Sequence, residues 1–175
     1  GFVSIPGDTA DLPAVEDALS TQTRVLAITL YKVDKIMHGM QLGAVGMSGQ
    51  VRTWAEEGFP LALLTRLREQ GFEVFISADH GNTETIGIGR PQEGVLSDKR
   101  GERCRIYSDP TLRKGCLADF AATQPWDQAG LPECICTLLS PYGKAFTQEG
   151  TILLCHGGAA LEEVCVPFIR IPAQT

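Results

Sequence analysis

The sequence predicts an α/β fold, a mostly parallel sheet flanked by helices. Three observations carry this expectation. Two short apolar runs with β-branched members, Arg24 to Tyr31 (RVLAITLY) and Phe72 to Ser77 (FEVFIS), read as buried strands, with an amphipathic helical stretch between them. Polar residues suited to chemistry follow each run at once. A third run, Thr151 to Cys155 (TILLC), ends on His156. Open α/β sheets bind ligands at the carboxyl ends of their strands, so these residues fall where such a fold puts function.

Taken in order, residues 1–23 are polar and turn-rich and read as an irregular lead-in to a single domain spanning 1–175. The strand over Arg24 to Tyr31 runs into Val33 to Gly39, which holds Asp34 and His38. Residues 40–50 are rich in Gly and Ser and read as a loop. Val51 to Glu57 suits a short helical segment, and Pro60 suits the first turn of a second. There Leu61, Leu64 and Leu67 recur at spacing three among Arg66, Arg68 and Glu69, which predicts an amphipathic helix ending at Gly71. After the strand at Phe72 to Ser77, residues 82–102 read as a long polar loop. Arg103 to Tyr107 reads as a strand, Thr111 to Leu117 as a helical turn and Glu133 to Leu139 as a strand. Beyond Thr151 to Cys155, Val164 to Ile171 reads as a last strand interrupted by Pro167.

With 43% hydrophobic residues the chain can bury a core. Its net charge of -6 and pI near 5.0 argue against a nucleic-acid module held mainly by charge, and leave a local basic patch open. No apolar run reaches the roughly 18 residues that span a bilayer, and no secretory pattern opens the chain, so no membrane role and a cytoplasmic location are expected. The six cysteines read as reduced thiols on the same compartment rule. Cys155 and Cys165 lie in apolar strand-like runs, and Cys134-x-Cys136 has no second pair to complete a zinc knuckle. Trp54 and Trp126 read as core residues.

The chain has three histidines, each after a strand-like run, and two have an aspartate close by: Asp34-x-x-x-His38 and Asp79-His80. Neutral imidazole and carboxylate together suit Zn or Mn. A spacing of four puts Asp34 and His38 on one face of a helix. Asp79 and His80 are adjacent and converge only at a turn, for which Gly81 supplies freedom. Gly157 and Gly158, after His156, would let backbone approach a metal or substrate closely.

The order Asp-x-x-x-His, Asp-His-Gly, His-Gly-Gly resembles the metal-ligand series of the alkaline phosphatase superfamily. Finer motifs, Ser77-Ala78-Asp79-His80-Gly81-Asn82-Thr83-Glu84, then His156-Gly157-Gly158, Glu162-Glu163-Val164 and Val166-Pro167-Phe168, resemble the PglZ domain of bacterial phage-defence systems of the BREX kind. Cofactor-independent phosphoglycerate mutase is a near relative, sharing Asp-His-Gly-Asn and a late Val-Pro-Phe. The resemblance covers about residues 24–171 and implies an alkaline-phosphatase-like fold, truncated here on its N-terminal side. It implies two divalent ions in the full-length protein, Zn first with Mn or Mg as alternatives. One ion takes Asp34, His38 and His156. The other takes Asp79, His80, an earlier Asp and a nucleophilic Ser or Thr.

Only 33 residues precede Asp34, and no buried strand leads into Asp8 and Thr9, so the nucleophile and first Asp ligand are expected to be missing, no catalytic residue is assigned, and this chain alone is expected to hold one ion. The implied partners are a phosphate-ester substrate, nucleic acid among the options, and other phage-defence proteins. The implied activity is that of a metal-dependent phosphatase or phosphodiesterase. The competing readings are a non-catalytic, metal-stabilised interaction domain and the C-terminal part of a cofactor-independent phosphoglycerate mutase-like enzyme.

Asn82 and Thr83 follow the Asp-His pair closely enough to touch substrate. Between Arg90 and Lys114, seven basic residues, including Arg100 and Arg103, face Glu93, Asp98, Glu102 and Asp109. This stretch reads either as a solvated loop with local ion pairs or as a phosphate-binding surface using Arg100 and Arg103. Glu162 and Glu163 read either as orienters of His156 or as a solvent-facing cap.

Overall fold

Sheet formation begins earlier in the chain than its apolar runs suggest. The computed structural model describes residues 1–5, 11–20, 22–92, 99–126, 130, 132 and 135–174, without the side chains of Lys99 and Arg100. Asp8, Thr9, Cys134 and the Arg100 guanidinium therefore lie outside what is described. The chain divides into two compact units, residues 1–76 with 169–175, and residues 77–168.

In the first unit, β1 (Phe2–Ile5), α1 (Leu12–Ala18) and β2 (Ala27–Leu30) form a strand-helix-strand unit with β1 and β2 parallel, Val3 opposite Ile28 and Ile5 opposite Leu30. The expected irregular lead-in is thus a strand and a helix. Asp11 caps α1 by accepting the Ala14 N–H at 3.0 Å, and Pro13 sits in its first turn. The apolar pattern is merely sparse: Val3, Ile5 and the fully buried Val15 supply the inner face.

Next come α2 (Lys32–His38), α3 (Gly43–Glu56) and α4 (Phe59–Glu69). The expected loop at 40–50 is largely the first half of α3. Glycine is there for space: a Cβ on Gly46 would lie 2.5 Å from the Leu42 Cβ and 2.7 Å from the Met40 sulfur. In α4 the buried residues are Phe59, Leu63 and Leu67, at spacing four, and Leu61 is 68% exposed. The helix is as expected, but of Leu61, Leu64 and Leu67 only Leu67 is buried, and the inner face turns on Phe59 and Leu63 instead. Phe59, Leu63 and Leu67 join Val3, Ile5 and Val15 in one core, with Trp54 packed against it. β3 (Val74–Ser77) then pairs with β11 (Phe168–Ile171) rather than with β2.

The second unit holds two further sheets. β4 (Thr83–Gly87) lies within the expected long loop and is flanked by β10 (Ile152–Cys155), antiparallel, and β9 (Lys144–Ala145), parallel. Its buried residues are Thr83, Thr85 and Gly87, none of them large and apolar, which hides it from an apolar count. β5 (Lys99–Arg100), β6 (Cys104–Tyr107), β8 (Cys136–Leu139) and β7 (Gln124–Trp126) form an antiparallel sheet in the order β5-β6-β8-β7. α5 (Pro110–Asp119), capped by Asp109, packs on β6 and β8, so Tyr107, Cys116, Cys136, Leu138 and Phe146 form a second core. The last helix is the short α6 (Leu161–Val164).

The architecture is therefore mixed α/β. Among the described residues the expected mostly parallel sheet is not found: the strands form four small sheets, and antiparallel pairs occur in the β10-β4-β9 and β5-β6-β8-β7 sheets. Trp126, expected in the core, is 46% exposed, and Cys165 is exposed outside any strand. Cys104, Cys116, Cys136, Cys155 and Cys165 are free thiols. Among the described residues no helix is long and apolar enough to cross a membrane.

Candidate metal centre

In the first unit the chain leaves β2 directly into α2. Ile36 and Met37 bury the inner face of this helix, which turns Asp34 and His38 outward together. The His38 Nε2 stands 3.4 Å from the Asp34 Oδ1, and both side chains are substantially exposed. That separation is long for a hydrogen bond. It matches the roughly 3.3 Å between ligand atoms around a tetrahedral ion with bonds of about 2.0–2.1 Å. Carboxylate oxygen and imidazole nitrogen form a donor set that Zn or Mn accepts. The pair fits one side of a metal site.

In the second unit Asp79 and His80 follow β3. The Asp79 carboxylate accepts the His80 backbone N–H at 3.1 Å and leaves the rest of its side chain in solvent. The His80 Nδ1 lies 2.9 Å from the Gly81 carbonyl, which can only accept, so the ring donates from Nδ1. In the neutral ring this leaves the Nε2 lone pair available for a metal, the arrangement in which a second hydrogen bond fixes a ligating tautomer. His156 follows β10, and its ring stacks on that of His80 with centroids 3.7 Å apart and planes within 10°. The unit thus brings together one histidine expected at each ion.

The two glycines after His156 have separate causes. Gly157 has φ +98°, which only glycine adopts without strain. At Gly158 an added Cβ would lie 2.6 Å from the Glu163 Oε2 and 2.9 Å from the Arg103 Nη2. The expected close approach of backbone is real, but the group approached is an ion pair. Arg103, expected to offer itself to substrate, is only 2% exposed and donates from Nε and Nη2 to Glu163 at 2.8 and 3.0 Å. Its Nη1 donates to the Ser140 hydroxyl and to the Pro141 and Lys144 carbonyls. Glu163 is equally buried. It accepts the Gly158 N–H at 2.9 Å and the Ala160 N–H at 3.1 Å, the latter closing the first turn of α6.

Burial pushes the Glu163 carboxyl up, but the Arg103 hydrogen bonds, the Gly158 and Ala160 amides and the Arg103 charge outweigh it and hold the group below its ordinary range. Of the two glutamates, Glu163 is thus an inward anchor. Glu162 is exposed and accepts the Tyr142 hydroxyl at 2.9 Å.

Gly81 is fixed by the same helix. Its N–H donates to the Glu163 carbonyl at 2.8 Å, and an added Cβ would lie 2.0 Å from the Glu162 carbonyl oxygen. Gly81→Ala is therefore expected to destabilise the chain by about 1–3 kcal/mol through backbone displacement. A denaturant midpoint equal to that of the native chain would refute this. Asn82 is half-buried at the foot of β4, and Thr83 is buried within it opposite Cys155. The anchor pair was missed as a pair. The one sequence signal for it was a Glu three residues after Ala160, just ahead of an apolar run.

Residues 11–171 match the family described as the BREX system PglZ alkaline phosphatase-like domain. The chain is also similar to the alkaline phosphatase-like protein BrxZ of Escherichia coli O9:H4 (strain HS), 28% identical over 120 residues. That match covers 61% of this chain and 13% of the relative, so the chain spans a small part of the length of the curated relative it matches.

Proposed function

The chain belongs to the BREX system PglZ alkaline phosphatase-like family, and on that premise we propose that it contributes metal ligands to a phosphohydrolase site, acting on a phosphate monoester or diester. The observation that carries this is the paired geometry of Asp34 and His38 on α2, at the ligand spacing of a tetrahedral ion. With His156 as third ligand, Asp34 and His38 would hold one divalent ion, Zn by preference. Asp79 and His80 would give two ligands to a second.

When bound, the ions supply Lewis-acid stabilisation of charge on the phosphoryl oxygens. The chain's own residues orient that chemistry. Asp34 and His38 present ligands from one rigid helical face. His80 is held in its Nδ1–H tautomer by Gly81. Asn82, beside it, is placed to meet substrate. The protein as a whole would act with other phage-defence proteins in the cytoplasm.

The test is hydrolysis of bis(p-nitrophenyl) phosphate by the purified chain with Zn and after chelation. Metal-dependent turnover is expected, slow if the chain lacks a hydroxyl nucleophile. One Zn bound per chain with no turnover would favour a metal-stabilised interaction domain, and no metal bound would defeat the proposal.

A further inference from the structure

We propose that Glu163, clamped by Arg103, is the positioning residue that sets the two histidine-bearing turns in their working arrangement. The inference rests on the reading of His80 and His156 as metal ligands. It goes further in naming what holds them.

Glu163 offers acceptors to both turns. Its carboxylate takes the N–H groups of Gly158 and Ala160, in the turn that follows His156. Its backbone carbonyl takes the N–H of Gly81, in the turn that follows His80. One residue thus ties together two turns whose histidine rings stack at 3.7 Å. The fit is close on both sides: Gly158 has no room for a Cβ beside the carboxylate, and Gly81 has none beside the Glu162 carbonyl.

Arg103 fixes the carboxylate in turn. Its bidentate bond to Glu163 sets both oxygens in one plane, and its Nη1 is seated on Ser140, Pro141 and Lys144, at the end of β8 and the turn into β9. A buried ion pair kept for stability alone has no need to send its remaining hydrogen bonds to a turn next to a predicted ligand. The carboxylate of this one sends them two and four positions after His156, and the backbone carbonyl of the same residue takes the N–H one position after His80. Outer-shell partners of this kind orient ligands and change metal affinity by about 10–100-fold when removed.

The experiment measures Zn affinity by competition with a chromophoric chelator, and Co(II) absorption as a report of coordination, well below the unfolding temperature. Glu163→Gln is expected to lose about 10–100-fold in Zn affinity and to change the Co(II) spectrum. Glu163→Gln leaves Arg103 without its charge partner. The double variant Arg103→Met/Glu163→Met, which buries no charge, therefore decides the matter if the single variant does not fold, with the same loss expected. Leu138→Ala, on the core-facing side of β8, is the control: it lowers stability and should leave affinity unchanged.

Native affinity in either folded Glu163 variant overturns the positioning role and leaves the reading of the site intact. A loss in Leu138→Ala equal to that in Glu163→Gln also overturns it, because affinity would then follow stability. A native chain that binds no metal overturns the reading of the site, and the inference with it.

Discussion

His38→Ala is expected to weaken Zn binding by at least about 100-fold and to reduce metal-dependent phosphodiester hydrolysis to the metal-free baseline. Removing an outer-shell partner already costs about 10–100-fold, and this change removes a ligand itself. Of three expected ligands, Asp34 and His156 would remain, one anionic and one imidazole, too few for a tetrahedral ion without extra water. The loss would not reflect unfolding. His38 lies at the exposed end of α2, and alanine is the better helix former. The apo chain should therefore unfold within about 0.5 kcal/mol of native. Isothermal titration with Zn, run beside the hydrolysis assay, checks both parts. Unchanged Zn affinity would remove His38 from the site. Unchanged hydrolysis would show that the turnover comes from another protein.

The residues proposed as ligands stand out in the sequence because their signal is local. Asp34 and His38 need only a helix, and the spacing of four states that. His80 and Gly81 need only a turn. His156 needs only to follow a strand, and TILLC is an obvious one. The sheet was less legible. Apolar runs show where strands lie and say little about which strand each joins. β4 has one large apolar residue, Ile86, and β1, though it holds Phe2, Val3 and Ile5, is only four residues beside a polar stretch, so neither stands out in the sequence. In fact β2 pairs with β1 and β3 with β11. The antiparallel pairing of β4 with β10 likewise joins residues far apart in sequence.

Arg103 and Glu163 mark the same limit on the scale of a single contact. They are 60 positions apart. In the sequence, Arg103 belongs to a run of basic residues in a polar stretch, and Glu163 is one of two glutamates before an apolar run. Composition makes both surface residues, as most arginines and glutamates are. Only the fold, which places β6 and β8 beside the turn before α6, removes water from both at once. The two glycines after His156 were noticed, but their meaning depended on the group they face.

Arg103→Ala is expected to destabilise the second unit by about 3–5 kcal/mol, the usual cost of leaving one member of a buried ion pair without its partner. With a urea slope of about 2 kcal/mol per molar, that moves the midpoint by roughly 2 M. Arg103→Met/Glu163→Met should recover most of the loss, since buried pairs are often no better than apolar groups of similar volume. The acid limb separates the two further. Burial raises the Glu163 carboxyl, but its hydrogen bonds and the Arg103 charge win, so its pKa is lower folded than unfolded. The pair's contribution is then fully present above the unfolded glutamate value of about 4.3. It drains as the pH falls from there through the folded value, where the unfolded chain binds the extra proton. Native stability should accordingly fall more steeply below about pH 4 than that of the double variant. Parallel acid limbs in urea titrations would mean that Glu163 is not held as a carboxylate by Arg103. A native-like midpoint for Arg103→Ala would mean that the buried pair contributes little to the unit.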